Sequence, residues 1–516
     1  MQQLNYREKY HYWALALLLI AKLALQYWAL GTGYELHRDE FLHLDQGHHL
    51  AWGYASVPPF TSWISWLIIQ LGNSVFWVKF FPALWGLLTI LLVWKTAESL
   101  GAGILGKTLA ATCVLLSSLV RINILYQPNS VDILCWTALI YFLIRYLQQR
   151  SPSWIYAAAV VFAIGFLNKY NIGFLLAALL ASLLLSPQRK LLREPHLYGA
   201  AALALLLISP NLIWQLRNDF PVLTHMKELA NTQLIHVNRT DFLFDQLLFF
   251  PGGVVLIVAS LIALLIHQHF RPIRLLFASF LFTLLLFLYF KAKSYYAIGL
   301  YPAYIAIGAA YLDKVWNHGW KKFLKPVLFL LPVISFIPIA RVAFPTHSPE
   351  YIANHPKPYE RFDLLRWEDG QQHQLPQDFA DMLGWSELTH KTEKALSTGI
   401  NPSETILICD NYGQAGAINF YTRMKNLRAH SFNADYIGWF PLNREFRNVV
   451  LVKEAGEGDL KELEPYFEKI SVADSLTNSY ARERGAKIWV LQNSRISVRD
   501  YLAKTIKERM ANPDSD

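Results

Sequence analysis

The chain has 516 residues, of which 54% are hydrophobic and 16% charged, with a formal net charge of +9. Soluble domains carry about a quarter charged residues, so this balance excludes an ordinary soluble protein and points to lipid; the length suggests at least two domains. The positive charge does not argue for nucleic acid, because much of the Lys and Arg lies in short loops between apolar runs, where basic residues set topology. Cys113, Cys135 and Cys409 are too few for a disulfide framework, and each lies in an apolar segment or an apparent strand.

Apolar runs near the bilayer-spanning length recur from Tyr12 to about Val342. They predict about eleven spans, at 11–31, 74–94, 103–120, 129–147, 153–168, 170–186, 196–216, 246–267, 272–290, 294–312 and 322–342. The first run is too long for a signal-peptide core and reads as an uncleaved span. With the N-terminus in the cytoplasm, the inside loops hold Lys95, Arg150, Arg189, Lys190, Arg193, Arg271, Arg274, Lys314, Lys321, Lys322 and Lys325, and the N-terminal tail holds Arg7 and Lys9. That fits the positive-inside rule. The expectation is a multi-pass plasma (inner) membrane protein whose residues 345–516 form an extracytoplasmic, periplasmic domain after a membrane domain of residues 1–344.

The other face then receives about 31–73, 121–130, 217–245, the 291–294 turn and the tight turn at 168–170. A channel or transporter concentrates polar groups near the midplane, often at broken helices. Here they gather at one interface, which favours chemistry at a membrane surface.

The first outer segment runs Gly33-Tyr-Glu-Leu-His-Arg-Asp39-Glu40-Phe-Leu-His-Leu-Asp45-Gln-Gly-His-His-Leu-Ala-Trp-Gly53, and Pro58-Pro59 follows. Residues 39–50 have helical spacing, which sets Phe41, Leu42, Leu44 and Leu50 on the interface and turns the acids toward water or a cleft. Gly53 is expected to end this helix and Pro58-Pro59 to start a second one, from about Phe60 to Leu71, with Trp63 and Trp66 as interfacial anchors. Two adjacent carboxylates near low dielectric tend toward a raised pKa, which suits a general base. The alternative is that Asp39 and Glu40 cap a helix N-terminus.

An acidic pair after the first span, a surface helix and a Pro-Pro step resemble the first external loop of the family 39 GT-C glycosyltransferases. That family includes the protein O-mannosyltransferases and the bacterial aminoarabinose transferases. Three further segments are similar to the family's pattern: Lys291-Ala-Lys293-Ser-Tyr295-Tyr296-Ala-Ile-Gly-Leu-Tyr301-Pro302-Ala303, Gln127-Pro128-Asn129-Ser130-Val131-Asp132, and Asn168-Lys169-Tyr170. One departure stands out. Related aminoarabinose transferases carry Glu-Lys before the double proline, where this chain has Ser56-Val57.

The resemblance implies a mainly α fold of GT-C membrane helices and transfer of a hexosyl or pentosyl group from a polyprenyl-phosphate-linked donor. The acceptor is a hydroxyl of a glycolipid, polysaccharide or protein at the outer face of the membrane. It implies Asp39 as the base and Glu40 as the group that positions it or binds the acceptor. Lys169, Lys291 and Lys293 are the candidates for the donor phosphate, since a cation there stabilises charge on the leaving oxygen. Their alternative is snorkelling to headgroups. Tyr295 and Tyr296 are candidates for phosphate or sugar contacts. Asp132 either bonds sugar hydroxyls, orients the outer loop, or caps a helix. No cofactor is expected. His43, Asp45, His48 and His49 invite a divalent metal, but His43 and His48 do not share a helix face well. The competing function is a lipid-linked-sugar flippase or transporter without transferase activity.

From about Pro345 the composition becomes that of a soluble α/β domain. Thr405–Cys409, 448–452 and 487–491 are apolar runs consistent with buried strands. Asp410-Asn-Tyr-Gly-Gln-Ala-Gly416 follows the first, a glycine-bearing strand-to-helix turn; such a turn can bind a phosphate, but this one is no P-loop and lacks the full dinucleotide pattern, so it is structural, or helps bind the acceptor or cover the site. The tail from about Arg509 is polar and expected to fray.

Overall fold

The computed structural model describes residues 2–31, 33–232, 234–317, 320, 323–425, 427–456 and 460–511. Lys321, Lys322, the side chain of Arg7 and the last residues of the tail lie outside the described set. The chain is mainly helical, 68%, with membrane-spanning candidates and a small C-terminal sheet. It divides into two compact units. One holds the chain through Leu30, Ala51–Thr61 and Phe76–Thr346; the other holds Gly31–Leu50, Ser62–Val75 and the chain from His347 onward.

In the first unit, Lys9–Ala29, Val75–Ser99, Asn129–Gln149, Pro195–Arg217 and Leu324–Val342 are each long and apolar enough to cross a membrane. Two bent helix pairs, Ile172–Leu184 with Pro187–Arg193 and Arg239–Phe249 with Pro251–Ile266, bring the candidates to as many as 7. Ile104–Leu115, Pro152–Asn168 and Leu275–Tyr289 are shorter apolar helices. Several expected spans are broken where the sequence breaks helices. The 246–267 stretch bends by 77° at Pro251-Gly252-Gly253, where proline removes a backbone donor and glycine costs helix stability. The 294–312 stretch opens as a 3-10 turn, Ser294–Leu300, before the helix Tyr301–Val315. That helix packs so closely on Val254–Ile266 that a Cβ on Gly308 would lie 1.8 Å from the Leu256 carbonyl oxygen.

The second unit carries a five-stranded sheet, β1 (Thr405–Cys409), β2 (Ala429–Ser431), β3 (Asn448–Lys453), β4 (Phe467–Ser475) and β5 (Lys487–Ser494), in the order β2-β1-β3-β5-β4. β1 pairs parallel with β2 and β3, in register Leu407 with Ala429 and Leu407 with Val450; β5 pairs antiparallel with β3 and β4. All five β1 residues are buried, as expected of a parallel strand covered on both faces.

The same unit contains most of the 31–73 segment, all but Ala51–Thr61, ahead of the boundary drawn from composition at residue 345. Its helix is Arg38–Gln46, ending at Gly47 rather than Gly53. A Cβ on Gly47 would lie 2.7 Å from the Ser65 Cβ and the Trp66 amide nitrogen, so the second helix of the segment, Phe60–Gln70, sets where the first must stop. The apolar face does not meet a membrane interface. Phe41 is fully buried and packs on Trp385, Phe420 and Tyr421 of the helices Trp385–Ser397 and Tyr412–Tyr421. Leu42 and Leu44 are buried as well, and only Leu50 is exposed. A Cβ on Gly416 would lie 2.6 Å from the Phe41 Cβ, so only glycine lets these helices close. The acids on this helix are drawn in with it, because the apolar face found a protein partner.

Candidate active-site residues

In the first unit, the Asn129–Gln149 helix starts after Pro128, and Asp132 lies in its first turn. Negative charge is favoured there. Asp132 is nearly fully buried and does not cap the helix. Its Oδ1 accepts from Trp136 Nε1 at 3.0 Å and its Oδ2 from Asn171 Nδ2 at 2.9 Å. Asn171 Nδ2 also donates to the Tyr296 carbonyl at 2.9 Å. One carboxylate thus ties together three segments distant in sequence.

Lys169 follows the Pro152–Asn168 helix. Its Nζ donates to Asn129 Oδ1 at 2.8 Å and lies 4.3 Å and 5.0 Å from the ring centres of Tyr296 and Tyr295. The ring faces attract a cation, so this lysine is turned onto its neighbours rather than extended toward headgroups. Asp132 and Lys293 are the charges that act on it, one attracting and one repelling. Tyr295 and Tyr296 meet edge to face with centroids 4.8 Å apart. Lys293 is half-buried and precedes the 3-10 turn. Lys291 is exposed, at φ 51°, and has no side-chain partner among the described residues. Five of the six candidates in this unit therefore gather, and Lys291 does not.

In the second unit, His37 is the N-cap of the Arg38–Gln46 helix. Its Nδ1 accepts from the Asp39 amide at 3.2 Å, and Glu40 Oε2 accepts from the His37 amide at 2.7 Å. This is a capping box, and Glu40, with 0% exposure, is its closing member. Asp39 differs: its side chain is 36% exposed. Its Oδ1 accepts from the Tyr412 hydroxyl at 2.7 Å, and the Arg38 guanidinium lies 4.7 Å from the centre of the Tyr412 ring. Burial alone would raise the Asp39 carboxyl, but His37, the Tyr412 hydroxyl and Arg38 outweigh it and hold the group below its ordinary value. The raised value expected of an acid near low dielectric belongs instead to Asp45, which burial pushes up to about 6. Asp45 Oδ2 accepts from Asn419 Nδ2 at 2.7 Å and from the Tyr436 hydroxyl at 2.6 Å.

Two of the loop histidines have other neighbours. His43 Nδ1 lies 3.3 Å from Gln46 Oε1, and the His49 ring stacks on Trp439 at 4.2 Å. Among the described residues no group of three or more His, Cys, Asp and Glu is placed to hold a metal. The sequence reading passed over Asn129, Trp136, Asn171 and Tyr412. The two asparagines lie inside or beside the quoted motifs, and Trp136 lies one helical turn after Asp132, at a spacing that makes neighbours. For Tyr412 the only local signal was the turn that carries it.

A family model described as dolichyl-phosphate-mannose-protein mannosyltransferase matches residues 56–214. The lipid A galacturonosyltransferase RgtD of Rhizobium johnstonii is 25% identical over 321 residues, 59% of this chain and 66% of that protein, just under two thirds of its length. ArnT from Cupriavidus metallidurans in the apo state superposes with a TM-score of 0.60 at 14% identity, over 92% of this chain and 97% of that one. The same protein bound to undecaprenyl phosphate gives 0.60 at 13% identity, with the same coverage. Together these matches support a GT-C fold for the chain. The family match takes in Asn129, Asp132, Lys169 and Asn171. Asp39, the Lys291–Tyr296 segment and Tyr412 lie outside it and rest on the geometry above.

Proposed function

We propose that the chain moves a sugar from a polyprenyl phosphate to an acceptor hydroxyl, at the face of the membrane opposite its N-terminus. The observation that carries this reading is Lys169, a cation held by Asn129 and the faces of Tyr295 and Tyr296 beside a buried Asp132. The undecaprenyl phosphate bound to the ArnT of the same fold supports a lipid phosphate as the ligand. In this reading Asp39 accepts the acceptor's hydroxyl proton, the acceptor oxygen bonds to the anomeric carbon, and the bond from that carbon to the phosphate oxygen breaks. The phosphate leaves with the electron pair, stabilised by Lys169 and Lys293. Tyr295 and Tyr296 flank the phosphate, and Asp132 orients Asn171 and the turn beyond it. Glu40 keeps the loop helix closed. No step needs a metal. The membrane unit spans about eleven times with the N-terminus in the cytoplasm, and the sheet-bearing unit lies on the opposite, periplasmic side. The acceptor is a glycolipid, with RgtD's lipid A as the first to try; a polysaccharide or protein hydroxyl is the alternative.

The test is an in vitro transfer assay on the full chain in liposomes, with a panel of undecaprenyl-phosphate sugars and product detection by mass spectrometry. Asp39→Asn is expected to lose about a hundred- to ten-thousand-fold in turnover while keeping expression and donor binding. Normal turnover by both Asp39→Asn and Asp39→Ala would remove the base assignment.

A further inference from the structure

The turn that follows β1 has a feature its sequence does not announce. Asn411 Oδ1 caps the Tyr412–Tyr421 helix by accepting from the Gln414 amide at 3.0 Å. Its Nδ2 is held by Glu454 Oε1 at 2.6 Å and Glu483 Oε1 at 3.0 Å, and Gln414 Nε2 donates to Glu483 Oε2 at 2.6 Å. The first residue of that helix is therefore fixed by buried polar bonds on both sides. That residue is Tyr412, and its hydroxyl ends 2.7 Å from Asp39 Oδ1. Over its ring lies the guanidinium of Arg38, the neighbour of Asp39 in sequence. A turn built to this standard fixes more than a loop.

We infer that Tyr412, from the C-terminal sheet domain, is a positioning residue for the base: its hydroxyl holds Asp39 Oδ1 and sets both the orientation and the basicity of the carboxylate. The inference rests on Asp39 being the base. The phenol donates a proton to a charge-assisted hydrogen bond and gives nothing up in the reaction. The transferred proton passes from the acceptor hydroxyl to Asp39, and Tyr412 touches neither substrate. A donor to the ionised form makes a carboxylate a weaker base, while holding it in one rotamer spares the cost of ordering it during the reaction. Among the described residues, the charged and titratable groups that act most on Asp39 come from two segments. His37, Arg38 and His43 lie on its own helix, and Tyr412 lies on the helix packed against it. Asp378 and Asp381 stand behind His37, at 3.9 Å and 3.7 Å from its Nε2, and Asp381 and Glu483 also act on Arg38. Of these, Tyr412 donates a side-chain hydrogen bond to the carboxylate and comes from the distant part of the chain. The C-terminal domain thus serves the chemistry directly, beyond anchoring or covering.

The experiment compares full-length wild type, Tyr412→Phe, Asp39→Asn and a protein with 3-fluorotyrosine at position 412, in the liposome transfer assay from low to neutral pH. Tyr412→Phe keeps the ring under Arg38 and deletes the hydroxyl. It is expected to lower kcat about tenfold with donor KM within about twofold, and to move the acid limb of kcat/KM upward by about one pH unit. 3-Fluorotyrosine, a stronger donor of the same shape, moves that limb the other way. An acid limb unmoved in both proteins, with Asp39→Asn inactive, overturns the role of Tyr412 and leaves the base in place. Wild-type activity in Asp39→Asn overturns both.

Discussion

Replacing Asp45 with asparagine should stabilise the sheet-bearing unit at neutral pH and leave it unchanged in acid. Asp45 is 7% exposed, and its Oδ2 takes both available donors, Asn419 and Tyr436. Burial nevertheless dominates and lifts the carboxyl from 3.8 to about 6. A raised carboxyl favours the fold when protonated. Its contribution is complete below the ordinary value near 4 and is lost as pH rises through about 6. Each pH unit of displacement is worth 1.36 kcal/mol, so the ionised form is worse inside the fold by about 3 kcal/mol. Asparagine keeps an acceptor oxygen for the two donors and carries no charge. Hydrogen exchange of the Tyr412–Tyr421 peptide, corrected for intrinsic pH dependence, reads this locally. At pH 7.5 the variant should exchange up to ~100-fold more slowly than wild type, and at pH 4 the two should coincide. An equal difference at both pH values, or faster exchange in the variant at pH 7.5, would refute the assignment of a buried, high-lying carboxyl.

Gly416→Ala pushes a Cβ to 2.6 Å from Phe41 and 2.7 Å from the Tyr436 hydroxyl; thermal melts should show a loss of about 1–3 kcal/mol. Gly308→Ala in the first unit sets a Cβ against the Leu256 carbonyl, and the detergent-solubilised protein should melt earlier by a comparable margin, with Gly173→Ala, where the added Cβ meets nothing within 4 Å, as the neutral control. Trp136→Phe removes one of the donors to the buried Asp132. It should cost about 1–3 kcal/mol in a melt, and a melt equal to wild type would mean that this bond does not hold the carboxylate.

The apolar helices were legible because length and apolarity are local properties; among the described residues, though, 5 helices, or up to 7 with the bent pairs, are long and apolar enough to cross a membrane, against about eleven expected spans. Their breaks were less so. Pro251-Gly252-Gly253 is visible in the sequence, but whether such a triplet bends a helix by 77° or is absorbed depends on packing. In the second unit the three apolar strands were found in place. β2 has only three residues, and β4 is an edge strand with a mostly uncovered face, so neither presents a buried pattern to read. The loop helix was placed within a few residues, but its apolar stripe was assigned to a membrane interface. A stripe of Phe41, Leu42 and Leu44 asks for any apolar partner, and a single sequence does not say that helices more than 300 residues later supply it. The same distance hid Tyr412, which is 373 residues from Asp39. The pKa values inverted for a related reason: the acid that looked exposed to low dielectric acquired a donor and nearby cations, while at Asp45, further along the same helix, burial outweighs the two donors.

In the proposed function, Lys169 marks where a polyprenyl phosphate binds. Equilibrium binding of undecaprenyl phosphate to the purified full chain, wild type against Lys169→Met, tests it without needing the right sugar or acceptor. Methionine keeps the length of the side chain and removes the charge. Binding weaker by about tenfold or more, with a salt-sensitive wild type and a salt-insensitive variant, is the expected result. Equal affinity in the two proteins would contradict it.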